Sequence, residues 1–115
     1  MKLNYEEILL ATTIKNSVKN INDGFEYSLK NIIINGEKRG CSGFVKNPVN
    51  NKVVYLTTER SCCNSLHNKI MYRYAKDTKD YSSNGLGVLG RNRWCEYDKH
   101  IIAKCIVDCL ENDLR

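Results

Sequence analysis

Ile32-Ile33-Ile34-Asn35-Gly36-Glu37-Lys38-Arg39-Gly40-Cys41-Ser42-Gly43-Phe44-Val45 decides the fold class. Asn-Gly suits a two-residue hairpin turn because both residues tolerate positive φ. Here it separates an aliphatic run from a return strand, Glu37 to Val45, in which Gly40 and Gly43 mark a bulge or a close backbone approach. Beyond it, Asn47-Pro48-Val49-Asn50-Asn51 reads as the next turn and Lys52 to Thr58 as a β-rich third strand. Lys69 to Ala75 alternates, sending Ile70, Tyr72 and Tyr74 to one face and Met71 and Arg73 to the other, a fourth strand.

Upstream of the hairpin, Ile8, Ala11, Ile14, Val18 and Ile21 recur at helical spacing. Asn4 and Glu7 resemble a capping box, Leu3 a staple and Asp23-Gly24 a stop, so a helix is expected over about 5 to 22. Ile101, Ile102, Cys105, Ile106, Cys109 and Leu110 give a second amphipathic pattern, about 96 to 113. The expected architecture is α+β, an antiparallel β-meander of about four strands flanked by an N-terminal and a C-terminal helix. The 115 residues suffice for one core, so residues 1–115 are read as a single ligand-binding domain.

The N-terminus carries Glu6 and Glu7 where an export signal needs unopposed positive charge, and nowhere do about 18 uncharged apolar residues run together. A cytoplasmic protein without a membrane span is expected. The six cysteines, Cys41, Cys62, Cys63, Cys95, Cys105 and Cys109, then read as reduced thiols used in packing. Cys62, Cys63, His67, Cys95 and His100 could converge on zinc as a minor alternative, but no C-x-x-C or H-x-x-x-H spacing is present, so no metal or other cofactor is expected. The net charge of +5 favours anionic partners, but no helix carries a basic stripe, which argues against nucleic acid.

Lys76 to Trp94 has no periodicity and is dense in Gly, Asn, Asp, Tyr and Arg, the profile of a functional loop. Gly85-Leu86-Gly87-Val88-Leu89-Gly90 spells the dinucleotide fingerprint, but it lies outside a strand–turn–helix context and cannot open a βαβ unit. What survives is chemistry. Arg91, Asn92 and Arg93 offer donors to phosphate, and Tyr81 and Trp94 offer faces to a base. The only histidines, His67 and His100, have no nucleophile beside them in sequence, and no catalytic residues are assigned.

Four stretches, Asn35 to Phe44, Tyr55 to Arg60, Tyr72 to Tyr81 and Gly90 to Arg93, resemble the first type of phage anti-Thoeris protein, a family of cyclic-nucleotide sponges. The resemblance runs from about Ile32 to the C-terminal helix. It implies sequestration, without cleavage, of a small anionic nucleotide ligand: glycocyclic ADP-ribose and, for some members, the cyclic oligonucleotides of CBASS immunity. It further implies a homo-oligomer, a dimer or a hexamer built from dimers, in the infected bacterial host cell. By that resemblance Tyr81 stacks on adenine, Asn92 makes a polar contact, and Arg60 and Arg91 form a pair for cyclic trinucleotides at a second site. The loop Ser82 to Leu89 is longer than the family pattern. The competing expectation is a phage inhibitor that binds a host defence protein directly, in the manner of an anti-CRISPR, which a short Asn- and Lys-rich chain also suits.

Overall fold

The structure is a computed structural model and describes residues 8–58, 69–81 and 90–111. The element order is α1 (Ala11–Lys19), β1 (Glu26–Ile34), β2 (Glu37–Asn47), β3 (Lys52–Thr57), β4 (Lys69–Ala75), β5 (Arg93–Glu96) and α2 (Lys99–Glu111). All five strands form one antiparallel sheet in the order β1-β2-β3-β4-β5. The α+β meander is as expected, with one strand more. β5 was hidden in the sequence because its four residues are too few to show a period; it forms by pairing with β4, where Lys69 meets Glu96 in an ion pair of 2.5 Å.

The hairpin turn has Asn35 at φ 54° and Gly36 at φ 80°, the two positive angles that Asn-Gly was expected to supply. From it, Ile34 pairs with Glu37 and Ile33 with Lys38, whereas Ile32 pairs with Gly40. Arg39 is therefore the extra residue of a β-bulge. Gly43 is the close approach: a Cβ there would run into the Ser28 carbonyl oxygen and lie 2.8 Å from Leu29 Cα.

Alternation divides the sheet into two faces. Val45, Val54, Leu56 and Ile70 join Ile14 and Val18 of α1 and Ile102, Ile106 and Leu110 of α2 in the main core. Both helices thus cover the same face. The opposite face carries a smaller cluster of Phe44, Val53 and Ala75 with Tyr55 against it. Ile70, Tyr72 and Tyr74 lie on the helix face, as the alternation in β4 requires.

Both helices begin later than their periodicity suggests. α1 begins at Ala11 rather than near residue 5, because the backbone of buried Leu9 is engaged elsewhere. Leu9 N–H donates to the Tyr97 hydroxyl (3.4 Å), and Thr58 Oγ1 donates to Leu9 C=O (2.6 Å). The first helical N–H, that of Ala11, donates to Asn31 Oδ1 on β1 at 2.8 Å. The expected box at Asn4 and Glu7, with the Leu3 staple, lies outside the described residues.

α2 starts at Lys99 rather than 96 because Asp98 Oδ1 accepts the His100 and Ile101 N–H groups at 2.8 and 3.1 Å, an N-cap. At its other end Leu110 C=O accepts from both Asn47 and Asn50 side chains (3.0 Å each), and Cys109 C=O accepts from the Tyr74 hydroxyl (3.0 Å). Among the described residues no helix is long and apolar enough to cross a membrane.

The two glycines separate strain from collision. Gly36 stands in open space, so Gly36→Ala should cost about 1 to 2 kcal/mol through its positive φ alone. Gly43→Ala adds backbone overlap and should cost clearly more, above roughly 3 kcal/mol. Urea denaturation of both variants checks the order; equal losses would show that β1 and β2 separate easily.

Candidate functional site on the face opposite the helices

Phe44, Tyr55 and Arg73 stand opposite one another across β2, β3 and β4. They form one cross-strand row on the face away from the helices. Arg73 is only 2 % exposed, an unusual position for a guanidinium unless it is well partnered. Its plane lies over the Tyr55 ring, 4.6 Å from the centroid. Nη2 donates to Asp80 C=O at 2.7 Å and Nη1 to Tyr74 C=O at 3.3 Å. The Asp80 carboxylate, also buried, lies 3.9 Å from Nη1 and accepts the Lys76 N–H at 2.8 Å.

Those bonds fold the chain after β4 back over the sheet. Asp77 Oδ1 accepts the Lys79 N–H (2.9 Å), and Asp80 N–H donates to Asp77 C=O (3.3 Å), which shapes the turn. Tyr81 follows at once, and its ring meets Phe44 and Tyr55 edge-on, with centroids 5.1 and 6.0 Å away. One side of Tyr81 is thus anchored while 65 % of the residue remains exposed. A fixed aromatic ring with a free face is what base stacking requires.

Trp94 is opposite Met71, in the row Ser42–Thr57–Met71–Trp94, and is 45 % exposed. It shares the helix-free face with Tyr81. Two residues along the strands and two strands across place it about 12 Å from the Tyr55 position. Tyr72 is opposite Arg93, the first residue of β5, and Arg91 and Asn92 immediately precede it. Asn92 and Arg91 are both exposed.

Arg93 goes the other way. Its guanidinium lies over the Tyr74 ring on the helix face, 5.0 Å from the centroid, and its charge acts on the Cys109 thiol of α2. The structure therefore brings Tyr81 and Trp94 to one face, with Arg91 and Asn92 at its border, and sends Arg93 to the opposite face. Arg60, the glycine motif over 85–89 and the loop 82–89 lie outside the described residues, as do Cys62, Cys63 and His67. Sequence reasoning missed Arg73, Tyr55 and Phe44 as the support of the site. The one available signal was a lone arginine among apolar and aromatic residues in an alternating strand.

Among the described residues no group of three or more His, Cys, Asp or Glu is placed to hold a metal ion. No family model, no curated protein and no solved structure matches this chain.

Arg73→Ala would leave the Asp80 carboxylate buried without its cation and release the turn, so a loss of about 3 to 5 kcal/mol is expected. Tyr81→Ala removes a largely exposed ring and should cost less than about 1.5 kcal/mol. Thermal denaturation separates the two; a Tyr81→Ala loss as large as that of Arg73→Ala would make Tyr81 a core residue rather than a ligand platform.

Proposed function

We propose that this protein is a phage anti-defence sponge of the anti-Thoeris and anti-CBASS kind, which binds and sequesters cyclic-nucleotide immune signals without cleaving them. It works in the cytoplasm of the infected bacterial host, and it acts by binding rather than as an enzyme. The observation that carries the reading is Tyr81, held edge-on by Phe44 and Tyr55 with its outer face free. Exposed Trp94 on the same face and exposed Arg91 and Asn92 at its border supply a second ring, a cation and an amide. A cyclic nucleotide needs just these groups, a flat apolar surface for the base and converging donors for the phosphates. The ligand class is glycocyclic ADP-ribose, extending to cyclic di- and trinucleotides through Arg60 and Arg91.

Self-association belongs to the same reading. β1 is an edge strand of nine residues, and Ile33 beside the hairpin turn is 58 % exposed. An edge of that length is commonly buried against another copy, giving a dimer or a hexamer built from dimers. The same exposed hairpin supports the second reading, a phage inhibitor that docks directly on a host defence protein.

Incubation with a panel of cyclic nucleotides, followed by denaturation and mass spectrometry of what is released, should return an intact ligand. Tyr81→Ala should weaken its binding by roughly 1 to 3 kcal/mol. Arg91→Ala should weaken a phosphate-bearing ligand about ten-fold to a hundred-fold. Release of a cleaved product would refute the sponge, and no retained nucleotide together with capture of a host defence protein would favour the inhibitor.

A further inference from the structure

β1 is the outer strand of the sheet and, among the described residues, pairs only with β2. Its other edge therefore carries unpaired backbone groups. The Ser28 carbonyl points at β2, since its oxygen is the nearest atom that a Cβ on Gly43 would strike. In an antiparallel ladder the N–H and C=O of one residue point the same way, and successive residues point to opposite sides. Tyr27 and Leu29 thus direct their backbone groups to the free edge, while Glu26, Ser28 and Lys30 direct theirs inward.

The side chains share that period. Glu26, Ser28 and Lys30 are exposed on the helix-free face, level with Lys46, Phe44 and Ser42 of β2. Tyr27 and Leu29 are half-buried on the helix face, where with Ala11, Thr12 and Lys15 of α1 they line an open depression of about 150 Å³. No residue of β2 lines it, so it lies at the rim of the sheet.

We infer that β1 pairs antiparallel with β1 of a second copy about a two-fold axis through Ser28, which joins two five-stranded sheets into one. The inference rests on the self-association in the proposed function and adds its register. An axis at Ser28 sets Glu26 opposite the partner's Lys30, Tyr27 opposite the partner's Leu29, and Ser28 opposite the partner's Ser28. By symmetry, opposite charges then meet twice on the exposed face, and an aromatic–aliphatic pair closes the rim of each depression. Charge excludes the register of greatest overlap. An axis through Lys30 would pair all nine residues of β1 but would set Lys30 against the partner's Lys30. That contact would be a non-hydrogen-bonded pair, in which side chains come closest. An axis at Tyr27 sets Glu26 opposite the partner's Ser28, and one at Leu29 sets Lys30 there, so neither makes an ion pair. The axis at Ser28 leaves Ile33 and Ile34 outside the pairing.

The test uses the full chain without nucleotide, so that its result is independent of ligand retention. Ser28→Cys places two thiols in a close pair at the axis and should form an intermolecular bridge under copper phenanthroline. A denaturing, non-reducing gel reads the covalent dimer, and peptide mass spectrometry tells its bridge from any among the six native cysteines. Lys30→Cys sets its thiols about 14 Å apart along the strands and should not bridge. Circular dichroism checks that both variants keep the parent fold. In a dilution series followed by light scattering, Glu26→Lys should weaken the dimer about ten-fold, because two attractions become two repulsions. Glu26→Lys combined with Lys30→Glu should restore it. A Lys30→Cys bridge, a folded Ser28→Cys variant that stays unbridged, or a double variant no stronger than Glu26→Lys would each overturn this interface. Nucleotide retained by a chain whose Ser28→Cys variant does not bridge would refute the interface alone, and a Ser28→Cys bridge in a chain that retains no nucleotide would refute the sponge alone.

Discussion

Asn35 and Gly36 close β1 on β2 in a single register, and every later choice of face inherits that register. Side chains alternate along a strand, so a slip of one residue would move Val45 out of the core and Phe44 into it. The bulge at Arg39 then shifts the register once, and Gly43 accepts the backbone of Ser28 and Leu29 where any side chain would collide. β2 passes this alignment to β3, β3 to β4 and β4 to β5, because each strand in the meander pairs with its neighbour in sequence. The position of Trp94 on one face and Arg93 on the other is thus the far end of a chain of pairings that starts at the turn.

Two helices cover one face of this sheet, and the other must manage its apolar residues differently. Arg73 provides the solution. A guanidinium lying over Tyr55 brings cation–π attraction, and its N–H groups reach the carbonyls of Tyr74 and Asp80. Burying it costs desolvation, which the Asp80 carboxylate and carbonyl offset through charge and short contact. The result is a turn held down at Asp80 and an aromatic residue projecting directly after it. Rigidity at Tyr81 therefore comes from an ion pair beneath it rather than from burial of its own ring.

The helices are held by polar side chains that come from the sheet and its turns. Asn31 satisfies the first N–H of α1, while Asn47, Asn50 and Tyr74 satisfy the last carbonyls of α2. Helix ends leave such groups without intrahelical partners. Supplying them from distant residues fixes the axial position of each helix as well as its contact face. This is why α1 starts at Ala11 rather than near residue 5. Leu9 falls within the helix expected from sequence, but Thr58 and Tyr97 engage its backbone groups instead.

The sequence by itself determined the meander, because Asn35-Gly36 and the alternation of β4 are local signals whose physics needs no partner. It also determined that Met71 and Arg73 oppose Ile70, Tyr72 and Tyr74, since period two follows from strand geometry alone. Tyr81 and Trp94 were legible as aromatics beside arginines, but their common face was not. That depended on the pairing of β5, a strand too short to announce itself, and on a turn closed by Arg73 from seven residues away. The departure of Arg93 to the helix face has the same origin: its direction is set by the partner Tyr72, not by its neighbours in the chain. Local chemistry fixed which elements form; long-range pairing decided which side chains meet, because register and helix position are set by groups that adjacent sequence does not contain.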